Sequence, residues 1–259
     1  MMAASKVQSI LITGANRGLG LEMVRQLAES PGPARLVFAT CRDPDAPKSK
    51  DLQELAKKHP KVVTVLQLDA TDPCSVKEAS NQVGLRLQGG GLNLLVNNAG
   101  VLAHGTLQST SNQDMQDAFN SNVLGPMCVT KEFLPYLRAA ARASGQPGMS
   151  CRKAAVINIS TLLASMASVS QAYAFFPAFS YRVSKAGLNM LNQCGVEEFR
   201  KDEILFAVLH PGWVRTQLGG EEADIDAAES VRGMLRVMES LSEKQNGAFL
   251  DYQGKSLPW

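Results

Sequence analysis

Seven short apolar runs divide the chain, with room for a helix between most neighbours: SILIT (9–13), RLVFAT (35–40), VVTVLQL (62–68), NLLVN (93–97), AAVINI (154–159), ILFAVL (204–209) and GAFLD (247–251). None alternates strictly between apolar and polar residues. A strand with one wet face must alternate, so these runs suit strands covered on both faces. The intervening segments include GLGLEMVRQLAES, PCSVKEASNQVGLRL and YRVSKAGLNMLNQCGVEEFRK, which carry apolar residues at helical spacing. Strand–helix alternation from end to end predicts an α/β fold, a doubly wound parallel sheet with helices on both faces.

At 259 residues the chain is long enough for one large domain of this kind or two small ones. Its 26 basic and 24 acidic residues nearly cancel, which gives no case for nucleic acid or an anionic membrane as partner. The five cysteines, Cys41, Cys74, Cys128, Cys151 and Cys194, form no CxxC, and three histidines are too few to complete a zinc framework, so no metal is expected. Unpatterned thiols suit a reducing compartment. The N-terminal MMAASKVQSILITG lacks a charged region followed by a long apolar one, and no apolar run reaches the roughly 18 residues of a membrane span. A cytoplasmic protein is the expectation. Two segments read as irregular: the Gly/Pro/Ser-rich ARASGQPGMSCRK (141–153), and TQLGGEEADIDAAES (216–230), which leads into a helix near Ala227.

SILITGANRGLGLEM sets Gly14, Gly18 and Gly20 directly between the first strand and the first helix. So tight a turn needs residues without Cβ, and the helix behind it offers free N–H groups and a positive dipole end to a pyrophosphate. The second strand runs into Cys41, Arg42 and Asp43. An acid at the end of that strand would hold a ribose 2′-hydroxyl, whereas Arg42 with Arg17 of the glycine loop suits a 2′-phosphate. The first charged residue is Arg42, which favours NADP(H) over NAD(H). A one-residue shift to Asp43 would reverse that reading. In YRVSK, Tyr181 and Lys185 sit four residues apart and so share a helix face.

TGANRGLG, NNAG (97–100), YRVSK (181–185) and HPGWVRT (210–216), in that order, resemble the short-chain dehydrogenase/reductase family over nearly the whole chain. HPGWVRTQLGG and the ending GAFLDYQGKSLPW look most like its sniffer and C-factor group of carbonyl reductases. The resemblance implies a single NAD(P)-binding Rossmann-type domain over residues 1–259 and hydride transfer between NADP(H) and a small-molecule aldehyde or ketone. It implies Tyr181 as proton donor, Lys185 lowering the phenol's pKa, and Asn122, rather than its neighbour Asn120, holding a water for proton relay. Cofactor contacts are implied at Gly14, Asn16, Arg17, Gly18, Leu19, Gly20, Arg42, Asp69 and Ala70. Further contacts follow at Asn98, Ala99, Gly100, Pro211, Gly212, Val214 and Thr216, besides Tyr181 and Lys185 themselves. Asn97 resembles a strand-tying asparagine.

The family pattern of paired serines after the fifth strand is here Ser160–Thr161. Register gives the carbonyl-polarising role to Thr161, with Ser160 or Ser165 as alternatives and a purely structural capping role also open. Tyr173, Phe175, Phe176 and Phe179 either wall the substrate pocket or meet another subunit. A short loop after HPGWVRT suggests an open site. Family members pair through two helices, here expected at roughly 112–141 and 180–201, as a homodimer or homotetramer. A sensor of C-factor type with vestigial catalysis is the competing reading. A sugar-nucleotide epimerase would need a larger C-terminal region.

Overall fold

A computed structural model describes residues 8–31, 35–145 and 147–259. Residues 1–7, where the question of a leader arose, and Gln146 within the 141–153 loop lie outside the described residues. All seven apolar runs become strands: β1 (Gln8–Ile12), β2 (Arg35–Cys41), β3 (Val63–Gln67), β4 (Leu94–Asn97), β5 (Ala155–Ile159), β6 (Leu205–His210) and β7 (Phe249–Asp251). They form one parallel sheet in the order β3-β2-β1-β4-β5-β6-β7. The order reverses between β1 and β4, so the connections leaving these strands part in opposite directions and leave a crevice beyond their carboxyl ends.

Burial on both faces explains the missing alternation. Ile10 and Ile12 of β1 face a layer built from Met23 and Val24 of α1 (Gly18–Glu29), Leu52 of α2 (Lys50–Lys58), and Val231 and Met234 of α8 (Ala227–Ser240). Leu11, pointing the other way, joins Val83 of α3 (Pro73–Leu87), Phe133 and Leu137 of α5 (Gly125–Ala143), and Val196 of α7 (Phe179–Glu198). Period-2 geometry thus feeds two cores from one strand.

The long helix expected over 112–141 is interrupted. It starts as α4 (Asn112–Phe119), capped by reciprocal bonds between Ser111 and Asp114, then takes one π turn over Asn120–Leu124 before α5 begins. Pro126 gives a physical reason: it has no N–H to return to the carbonyl of Asn122. A single helical turn, α6 (Val169–Ala172), lies in the long connection from β5 to α7. Asn97 of β4 donates to Asn158 Oδ1 (2.9 Å) on β5 and to Thr130 Oγ1 (3.1 Å), and Asn158 donates to Asn192 Oδ1 (3.0 Å). This buried amide ladder locks two strands to helices α5 and α7.

Candidate active site

Beyond the carboxyl ends of β1 and β4 lies an open cleft of about 340 Å³. Its floor is the glycine loop. Gly14 adopts φ +65°, and a Cβ there would stand 3.0 Å from Ala99 Cα. At Gly20 a Cβ would meet the Gly14 carbonyl oxygen at 2.3 Å. The loop is held from the side by NNAG: Asn98 Nδ2 donates to the carbonyls of Thr13 (2.9 Å) and Gly14 (3.2 Å), and the N–H groups of Asn98 and Ala99 both donate to Thr13 Oγ1 (3.0 Å). The Asn98 side chain is therefore committed to shaping the loop. Helix α1 opens at Gly18 with no side-chain cap and no acid in its first turn, so its amide donors face the cleft without an internal anion. That start, and the space a Cβ would fill, fit the pyrophosphate of a dinucleotide.

Asn16, Arg17, Gly18, Leu19, Arg42, Asp69 and Ala70 line one part of the cleft. Arg17 hydrogen-bonds Gln217 across it. Asp43 does not enter: its Oδ1 accepts from the N–H groups of Asp45 and Ala46 (3.1 Å each), closing its own turn. Lys48, which sequence reading passed over, lines the same region as Arg42. The only hint was a lysine six residues past Arg42 in RDPDAPK. Asp69 Oδ1 accepts from Thr71 N and Oγ1 (2.9 and 2.7 Å).

The other part of the cleft gathers Gly100, Ser160, Tyr181, Lys185, Pro211 and Thr216. Gly20, Asn122, Thr161, Gly212 and Val214 do not line it. Gly212 packs against Ile225 and Tyr252, and Val214 bridges to Ile225 with 4% exposure, so these two stand behind the wall. Tyr181 and Lys185 come from the first two turns of α7, 8% and 4% exposed. Lys185 Nζ donates to the Ile159 carbonyl (2.8 Å) and lies 5.9 Å from the centre of the Tyr181 ring.

Burial raises the phenol's pKa well above its ordinary value, with only the hydrogen bond to the Thr161 side chain lowering it, and burial pushes Lys185 down to about 8. The amine lies over the ring, 5.9 Å from its centre, and desolvation disfavours both charges. The protein alone keeps Tyr181 protonated.

The Thr161 Oγ1 accepts from Leu163 N (3.2 Å) as a cap and also meets the phenol. Ser160, 2% exposed, has a hydroxyl without a partner and lines the cleft. Ser165 is turned to Ser168 and the Trp259 carbonyl. Asn122 is fully buried while Asn120 is exposed. The Asn122 side chain accepts from Val101 N and donates to Val101 O and Ser184 Oγ, all at 2.9 Å. Its amide is thus fully occupied by structure, and only its main-chain carbonyl, opposite Pro126, lacks an α-helical donor.

Residues 8–226 match the family model described as short chain dehydrogenase. An NADPH-bound carbonyl reductase from chicken fatty liver is 44% identical and superposes with a TM-score of 0.93, over 98% of this chain and 100% of that one. The carbonyl reductase Sniffer of D. melanogaster is 33% identical with a TM-score of 0.91, over the same shares. The C-signal protein of Myxococcus xanthus is 37% identical over 171 residues, 66% of this chain and 94% of that protein.

Proposed function

The chain belongs to the short chain dehydrogenase family, and from that membership we propose that it is an NADP(H)-dependent carbonyl reductase, acting as one dinucleotide-binding domain on an aldehyde or ketone. The observation that carries this reading is Tyr181 beside the Lys185 amine in a cleft with a glycine-loop floor, its phenol meeting the buried Thr161 hydroxyl behind the lining. NADPH, when bound, supplies the hydride that reduces the carbonyl carbon. Tyr181 gives its proton to the carbonyl oxygen as it becomes the alcohol, and Thr161 donates a second hydrogen bond to that oxygen. Lys185, cationic at neutral pH, stabilises the phenolate left behind. The main-chain carbonyl of Asn122 would hold the water through which a proton returns. Ser160 and the wall at Pro211 and Thr216 would position the nicotinamide.

Phosphate discrimination falls to Arg42, Lys48 and Arg17. The side chains of Arg42 and Lys48 have no hydrogen bond or ion pair among the described residues, while the competing Asp43 is occupied by its own turn. Arg42→Ala is expected to weaken NADPH about tenfold to a hundredfold, as loss of a hydrogen bond to a charged group does, and to leave NADH nearly unchanged. Titrating intrinsic cofactor fluorescence checks this. A parallel loss for both cofactors would remove the 2′-phosphate assignment.

Since Lys185 sits at about 8, reduction should run with the amine charged below that pH and decline as it deprotonates above it. A pH profile of kcat/KM tests this against Lys185→Met, which should lose both most of the activity and this limb. The parent experiment is NADPH oxidation with a reactive diketone or quinone. The C-signal likeness supports a second reading, a cofactor-binding sensor, and tight NADPH binding without turnover of any carbonyl would favour it. Pairing through α4–α5 and α7 belongs to the same proposal, on the exposed Phe119, Met127, Val183 and Met190 of those helices. A cytoplasmic setting does too, on five free thiols. No helix of the described residues is long and apolar enough to cross a membrane.

A further inference from the structure

Arg182 follows Tyr181 in sequence and is buried slightly more deeply, at 6% exposure. Its hydrogen bonds run to main-chain carbonyls: Nε to Pro177 O (2.8 Å) and Phe176 O (3.1 Å), Nη2 to Phe176 O (2.8 Å), and Nη1 to Leu163 O (3.2 Å). The guanidinium carbon lies 5.5 Å from the centre of the Tyr173 ring. Burying a guanidinium without a carboxylate is unfavourable unless its donors are well satisfied. Here its fork joins the two ends of one connection. Leu163 lies two residues past Thr161, and Phe176 and Pro177 lead into the helix that carries Tyr181.

The same connection runs from Thr161 to Tyr181 and is tied to the connection after β4. Phe176 packs edge-on against His104, with ring centres 5.4 Å apart, and Phe179 N donates to the Gly105 carbonyl (2.9 Å), which draws in the connection after β4. Large apolar side chains are exposed in the connections leaving three adjacent strands at their carboxyl ends: Leu107 after β4, Met166 and Phe175 after β5, and Trp213 and Leu218 after β6. Phe175 is 87% exposed. Exposed apolar side chains gathered on one end of a molecule mark a binding surface.

We propose that Arg182 is the positioning residue of the substrate wall, and that the wall it fixes selects carbonyl compounds bearing an aromatic or other bulky apolar group. The substrate half of this rests on the reductase reading; the positioning half rests on the geometry of the connection.

The test compares wild type with Arg182→Lys and Arg182→Met, using an aryl ketone, a small aliphatic aldehyde and NADPH. For Arg182→Met the expected result is a KM for the aryl ketone raised roughly tenfold or more, with kcat, aldehyde KM and NADPH affinity each within about twofold, and Arg182→Lys between the two. Equal losses on both substrates, or a fall in kcat alone, would overturn it. So would a wild type that prefers the small aldehyde. Amide hydrogen exchange on the free protein reads the positioning half without turnover: exchange over 163–177 should rise in Arg182→Met, and that over 8–41 should not. Unchanged exchange over 163–177 overturns the positioning role. Absence of any turnover by wild type removes the reductase reading and the substrate half with it, and leaves the exchange result to decide the rest. If Arg182→Met does not fold, Arg182→Lys carries both measurements.

Discussion

Tyr181→Phe is expected to cut carbonyl reduction by roughly 10²–10⁴-fold, the range for loss of a positioned general acid. NADPH affinity should stay within about twofold, because the change touches proton transfer and leaves binding contacts in place. The ring keeps its volume and its place on α7. The lost hydroxyl bonds only the Thr161 side chain, which retains its contact with Leu163 N. Losing one buried hydrogen bond costs about 1 kcal/mol, so the melting temperature should fall by only about 2–4 °C. Single-turnover kinetics with saturating NADPH isolate the chemical step. A variant as fast as wild type would end the proposed chemistry, whereas a variant that merely binds NADPH poorly would relocate the tyrosine's role to cofactor contact.

Gly20→Ala should damage the protein by a different route. The new methyl would meet the Gly14 carbonyl oxygen at 2.3 Å, Asn98 Nδ2 at 2.7 Å and Ala15 Cα at 3.0 Å. Two of these are backbone atoms of the loop itself. They can retreat only by opening the turn, which carries the Thr13 and Gly14 carbonyls away from the Asn98 amide. Overpacking of this kind costs about 1–3 kcal/mol or more, and for a chain of this size each kcal/mol lowers Tm by roughly 2–4 °C. The sharper readout is linkage: NADPH should raise the Tm of wild type and should no longer raise that of the variant. Gly89→Ala is the control, since it has positive φ but no atom within 4 Å of the added carbon. A Gly20→Ala protein still stabilised by NADPH would show that the loop is roomier than its geometry implies.

The strands were legible because burial on both faces of most of them leaves a local mark, a run dominated by apolar residues, which is weakest at the edge strand β3 with its exposed Gln67. The glycine loop was legible because only one residue type can occupy Gly14 and Gly20. Less was written in the sequence where partners come from afar. That Asp43 closes its own turn while Lys48 reaches the cleft depends on the path of the chain after β2. Asn122 could be picked out, but not that its amide is wholly occupied by Val101 and Ser184. The opposite shifts of Tyr181 and Lys185 follow from desolvation, which no string of letters displays. Pro126 was visible throughout, yet a proline near a helix start reads as ordinary until the preceding turn proves wider than usual.

That wider turn has a consequence for how the chain can vary. Each residue advances an α-helix by about 100°, so the extra residue accommodated at 120–124 sets the azimuth of everything after it. Phe133 and Leu137 meet the sheet because of that offset. Trimming one residue there would yield a more regular rod, but one whose aromatic and leucine knobs swing off the sheet, or whose Asn122 leaves Val101. Length at this point is therefore not free to drift: the irregularity that leaves the Asn122 carbonyl without an α-helical donor also times the packing of the helix behind it, and neither can be tidied without the other.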